Sequence, residues 1–194
     1  MVAIAKAANP ELEFREGDAE KLDLPDCSFD AVVMNFGMLH LERPESAIAE
    51  AFRVLRPGGR YAFTVWDIPE KAAAFGIILE SIQAHGNMDV PMPSGPPFFR
   101  FSDPEESKRE LTAQGFINIH TLQVPQTWKL ESGEALLATF RTAAVRTAAL
   151  LNAQTPVALE KIQSEVSSRI EAFRNHGEIV LPMPAILTSA LRPR

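Results

Sequence analysis

The chain has 194 residues, 46% of them apolar and 23% charged, with a formal net charge of −6 and a pI near 5.3. That length and apolar content suit one domain with a sizeable core and perhaps a small lobe, and the acidic balance without a basic run excludes a general nucleic-acid or anionic-membrane surface. A single cysteine, Cys27, excludes an internal disulfide, and the absence of a long apolar run or signal-type N-terminus leaves a cytoplasmic protein with no membrane span as the expectation.

Residues 1–8 are alanine-rich and apolar and stop at Asn9-Pro10, so they read as the last turns of a helix. Glu11–Glu16 alternates, with Leu12 and Phe14 on one side and Glu13 and Arg15 on the other, the period of a strand. Gly17-Asp18-Ala19 closes it, and Lys21–Ser28 is a loop. Ala31–Met34 is a short apolar run ended by Asn35 and Gly37, the pattern of an inner strand that stops at a loop. Pro44 suits a first helical turn, and Ile48, Ala51, Phe52 and Leu55 share one helical face. Arg56-Pro57-Gly58-Gly59 predicts a tight reversal into a strand over Tyr61–Trp66. Strand, helix and strand of these lengths make a right-handed βαβ unit. Ligands bind beyond the carboxyl ends of such strands, which places Asn35–His40 at the expected site.

A helix over about 70–84 follows, then a proline-rich loop over 86–97. Asp103 is positioned to cap a helix that Gly115 ends, and Phe116–Val124 resumes strand character. One alanine-rich helix over Gly133–Asn152 and an amphipathic one over Pro156–Arg174 come next. Prolines at 182 and 184 delay the last strand to Ala185–Leu191. The histidines are too scattered for a metal centre, and no phosphate-binding loop or dinucleotide fingerprint occurs.

The ordered set Phe14–Leu22, Leu24-Pro25-Asp26, Ser28-Phe29-Asp30, Asn35-Phe36-Gly37-Met38-Leu39-His40 and Glu50–Arg60 resembles the class I S-adenosylmethionine-dependent methyltransferases. The nearest branch is similar to the ubiquinone/menaquinone biosynthesis methyltransferases. The resemblance covers residues 1–66 well and the remainder in layout only. It implies a Rossmann-like α/β fold, mostly parallel, with a C-terminal antiparallel strand. The core would span 1–126 and 176–194, with 127–175 inserted as a helical lid. It implies S-adenosylmethionine as cofactor, with Asp18 accepting from the adenine amino group, Ala19 facing the ring, and Asn35, Phe36, Gly37 and His40 along the methionyl part. His40 is the candidate to take a proton from the acceptor, a small hydrophobic molecule.

One departure accompanies the match. The family's G-x-G-x-G turn and the acidic residue ending its second strand have no counterpart among the ten glycines and the acidic residues present. The fold is thus expected to lack its first two strands, to bind the cofactor weakly or only with a partner chain, and to pair as a homodimer through an exposed strand edge. The alternative is a non-catalytic, degenerate methyltransferase fold with an interaction or regulatory role.

Overall fold

The computed structural model describes residues 2–194; Met1, which the sequence counts in the first helix, lies outside the described residues. Helix α1 (Val2–Ala8) buries none of its residues. The strand expected over Glu11–Glu16 does not form, and the segment is irregular. A strand needs a neighbour to bond, and the chain that follows is pinned elsewhere. Leu22 N donates to Glu50, and the Arg53 guanidinium donates to Leu22 O, Leu24 O and Asp26. Those bonds hold residues 22–26 against helix α2 (Pro44–Val54).

The main sheet comprises β1 (Phe29–Asn35), β2 (Leu55–Trp66), β3 (Ile117–Val124) and β7 (Ala185–Leu191), in the order β1-β2-β7-β3. β1 and β2 pair in parallel, and β7 runs antiparallel to both β2 and β3. Three of the four strands therefore point one way, and the last in the chain runs against them. Among the described residues nothing pairs with the outer side of β1, so it is an edge strand and not the inner strand that its apolar run suggests. The Arg56–Gly59 reversal lies inside β2. Leu55 pairs with Phe29, and the next pair is Arg60 with Ala31, so the turn loops out of the ladder. Gly58 takes φ +82° there, the left-handed region that suits glycine.

The two faces of this sheet differ. On one, Tyr61, Phe63, Val65, Ile186 and Ala190 are buried beneath α2 and α4 (Pro104–Ala113). Asp103 caps α4 by accepting from Glu105 N, as its sequence predicts. On the other face, register aligns Ala31, Arg60, Leu191 and Ile117 in one row and Val33, Ala62, Ser189 and His120 in the next. None of these is buried, and Val33 is 74% exposed. Parallel strands ordinarily have both faces covered; here one is open.

A second layer stands above the carboxyl ends of β1 and β2. Helices α3 (Ala73–His85), α5 (Gly133–Ala143), α6 (Val145–Asn152) and α7 (Pro156–Ile170) share an apolar core that includes Phe75, Ile78, Phe140, Leu151, Ile162 and Val166. The single helix expected over Gly133–Asn152 is two, broken where Ala144 turns extended (φ −117°, ψ 105°). A small sheet β4-β6-β5, made of Thr127–Leu130, Glu178–Pro182 and Arg174–Asn175, ties the base of this layer. Residues 178–182, grouped with the core in the sequence reading, pair with β4 and not with the main sheet. Among the described residues no helix is long and apolar enough to cross a membrane.

Tyr61 is 1% exposed and its hydroxyl has no hydrogen-bond partner, so burial pushes the phenol pKa up. A buried, unsatisfied hydroxyl costs about 1–3 kcal/mol. Tyr61→Phe is expected to stabilise the chain by about 1 kcal/mol, read as a higher urea midpoint with an unchanged slope.

Candidate functional site

Asn35 and Trp66 end the two parallel strands side by side, and the loop between β1 and α2 is built on them. Thr64 Oγ1 donates to Asn35 Oδ1, while Phe36 N bonds Thr64 O at 3.1 Å. Phe36 is held at φ +51°, an uncommon conformation for a bulky residue. Its ring stacks on Trp66 with centroids 4.2 Å apart. Strain of this kind costs on the order of 1–3 kcal/mol and persists where neighbours over-determine it; two hydrogen bonds and a stacked ring do so here. A Cβ on Gly37 would lie 2.7 Å from Met34 Cγ, so the loop turns tightly over the strand.

The chain then forms a 3-10 turn over Met38–His40, with Met38 and Leu39 buried and His40 more exposed. His40 joins Leu39, Trp66, Phe75, Phe98, Trp128 and Phe140 around a cavity of about 140 Å³ at the strand ends. The walls are mutually packed aromatic rings: Trp66 meets Trp128 at 5.5 Å, Phe75 meets Phe98 at 5.5 Å, and Phe75 meets Phe140 at 5.0 Å. Thr139, Ala143 and Ala144 complete it from α5 and the break after it. His40 is the one titratable group on this wall. Burial, and after it the nearby Arg146 guanidinium, hold the imidazole below its ordinary pKa of 6.5. A neutral imidazole at pH 7 is able to accept a proton.

Arg146, on α6, donates to Pro96 O at 2.7 Å. It thereby ties the helical layer to the proline-rich loop next to Phe98.

The Asp18 turn is brought to the same neighbourhood by a residue the sequence reading quoted but gave no role. Glu20 accepts from the backbone N–H of Glu42 and Arg43, both at 2.8 Å, and pairs with the Arg43 side chain. α2 has no side-chain cap of its own, and Glu20 instead fixes the two residues that lead into it. The Arg43 backbone N–H is the main cause holding the Glu20 carboxyl below the usual range. Asp18 itself is exposed, and its Oδ1 accepts from Glu20 N at 2.9 Å, a turn-capping bond. Ala19 lines a separate depression of about 390 Å³ formed by residues 15–24. The six candidate residues are thus near one another in the fold but line different hollows: His40 the aromatic one and Ala19 the other. Asp18, Asn35, Phe36 and Gly37 line neither.

A further cavity, of about 350 Å³ between α5, α6 and α7, contains none of these residues. No cluster of metal-ligating side chains occurs among the described residues.

What this arrangement defines first is a class. The whole chain superposes on YcgJ from Bacillus subtilis with a TM-score of 0.54 at 20% identity, covering 79% of that chain. It superposes over 99% of its length on a SAM-dependent methyltransferase from Methanosarcina mazei with a TM-score of 0.50 at 15% identity, covering 77% of that chain. The fold is that of the Rossmann-like methyltransferases. Within that class the sequence is more specific. Residues 1–63 match the family model described as Methyltransferase domain. The ubiquinone/menaquinone biosynthesis C-methyltransferase UbiE of Methylobacterium nodulans is 49% identical over 61 residues, 30% of this chain and 24% of that protein. The demethylmenaquinone methyltransferase of Renibacterium salmoninarum is 38% identical over 69 residues, 36% of this chain and 29% of that protein. Over its first third the chain is thus similar to class I S-adenosylmethionine-dependent methyltransferases of the UbiE type. The alignments span between 22% and 35% of the length of such curated relatives.

S-adenosylmethionine is the cofactor of that class, and one group here has the chemistry its adenine end calls for. Asp18 keeps one carboxylate oxygen without a partner among the described residues, an acceptor suited to an exocyclic amine. Among the described residues no strand adjoins the outer side of β1, and the aromatic cavity, at 140 Å³, is below the 300–1,000 Å³ of typical ligand pockets.

Proposed function

We propose that this chain carries the acceptor side of an S-adenosylmethionine-dependent methyl transfer to a small, flat, hydrophobic molecule bearing a hydroxyl group. The aromatic cavity with a neutral His40 in its wall carries the reading. Indole and phenyl faces pack a planar ring, and the cavity size suits a single ring. In this reading the His40 imidazole takes the hydroxyl proton and the nearby Arg146 charge favours the oxyanion that results. Methyl transfer needs alignment more than acid–base machinery, which agrees with a site holding one titratable wall residue. The names of the sequence relatives make a hydroquinone the first acceptor to try. A non-catalytic role is the second reading, favoured by the Asp18 carboxylate already capping its own turn.

Two measurements on the full chain test the first reading. Phenol and a short-chain hydroquinone should quench Trp66 and Trp128 fluorescence saturably, whereas cyclohexanol should not. The His40 imidazole, followed by NMR, should titrate below 6.5 and move upward in Arg146→Gln. Unsaturable quenching together with a His40 titration at or above 6.5 would favour the non-catalytic role.

A further inference from the structure

Helix α5 stands between two hollows. Thr139, Phe140 and Ala143 line the aromatic cavity. Glu134, Leu137, Ala138, Arg141 and Thr142, related by steps of three and four, share another face of the helix. That face lines the cavity of about 350 Å³ against α6 and α7, a volume within the range of small-molecule pockets. The floor is apolar: Leu137, Leu151 and Ile162 are buried, and Leu159 of α7 is half-buried beside them.

Two charged side chains line this cavity, and they are not equivalent. Glu134 is already engaged. Hydrogen bonding, first from the Ser132 hydroxyl and then from its own backbone N–H and the Gln163 amide, holds its carboxyl below the usual range. Glu160 lines an adjoining depression and not this cavity. Arg141 lies two turns beyond Glu134, about 10 Å along the helix axis. It is exposed and grips no carboxylate among the described residues, whereas Arg100, Arg109, Arg169 and Arg174 each do. A guanidinium offers a carboxylate two parallel donors. An apolar floor with an unengaged guanidinium at one end therefore complements an anion with an apolar tail.

We propose that this cavity binds a free carboxylic acid with an unbranched apolar chain of medium length. Its carboxylate accepts from Arg141, and its chain lies over Leu137, Leu159 and Ile162. A chain of roughly eight carbons matches a span of about 10 Å. The two cavities share no residue, so this site stands apart from the acceptor reading.

Isothermal titration of the full chain with octanoate, hexanoate and 1-octanol tests the site. Octanoate should bind at one per chain with a dissociation constant at or below about 1 mM. Hexanoate should bind about tenfold more weakly, as the loss of two buried methylenes requires, and 1-octanol more weakly than octanoate by a similar factor. In methyl NMR spectra octanoate should shift Leu159 and Ile162 while leaving Trp66 and Trp128 fluorescence unchanged. Arg141→Gln should weaken octanoate binding by about tenfold. Ala138→Phe, which fills the cavity from an exposed position, should abolish it, and both variants should keep the circular dichroism spectrum. Absence of saturable octanoate binding overturns the proposal, as does equal binding of 1-octanol. So does an Arg141→Gln chain that loses stability but keeps its octanoate affinity, since the arginine then serves only the end of its helix. Loss of phenol binding with octanoate binding intact would strike the acceptor reading alone.

Discussion

Trp66→Ala is expected to lower stability by about 3 kcal/mol and to abolish saturable phenol binding. Trp66 ends β2 and, with Phe98, packs against both apolar cores. Its ring stacks on Phe36 at 4.2 Å and abuts Trp128 at 5.5 Å and Phe75 at 6.0 Å. Truncating a large aromatic in a core costs roughly 3–5 kcal/mol, from lost transfer energy and the residual void; Trp66 is only partly buried, which argues for the low end. The stability term is read from urea melts and the binding term from Trp128 fluorescence. Phe36 would also lose the ring that holds its left-handed backbone, so the Asn35–His40 loop should exchange its amide protons faster. A variant that loses stability but binds phenol as before would detach this ring from the site.

Arg100→Met is expected to cost about 3 kcal/mol, with little effect on the aromatic walls. The guanidinium is gripped by three carboxylates: Glu45 from α2, and Glu106 and Glu110 from α4. Its side chain is 19% exposed, and those of Glu106 and Glu110 are each 14% exposed. Removing one partner of a largely buried ionic group is strongly destabilising, about 3–5 kcal/mol, because the remaining charges stay desolvated and unpaired. Methionine keeps the volume, so the loss reports charge. Arg109 remains beside Glu106 and Glu110, which argues for the lower figure. Adding Glu106→Gln should restore part of the loss. No restoration in that double variant would mean that Arg100 acts through packing on Phe101, whose ring lies 5.1 Å from its guanidinium carbon.

Much of the fold was legible because its signals are local. Pro44 and Asp103-Pro104 open α2 and α4 where proline geometry and a capping carboxylate require. Gly115 takes φ +92° at the end of α4. The four-residue spacing of Ile162, Val166 and Ile170 marks the buried stripe of α7. The failures are those of non-local physics. Glu11–Glu16 has a strand's period, but period does not supply a neighbour. β1 reads as an inner strand because Val32, Val33 and Met34 are apolar, yet Val33 faces solvent. Nothing at Ala144 announces the helix break, since neither glycine nor proline is there. The candidate loop was legible from the βαβ unit and the family motif. The cavity walls were not, because Trp66, Phe75, Phe98, Trp128 and Phe140 meet only after several elements pack. Trp66 alone could have been found, as the residue at a strand's carboxyl end.

The position of β7 governs how the chain comes off the ribosome. It pairs with β2 on one side and β3 on the other, so the middle of the sheet is the last strand to be made. Until residues 185–191 emerge, β3 has no hydrogen-bonded place beside β2, and the early βαβ unit waits with both edges bare. Such long-range closure is slow and leaves nascent chains prone to mis-association. Release of a chain stopped before Ala185 should therefore yield protease-sensitive, aggregating product, while one carrying β7 should become resistant within the time of a single folding event.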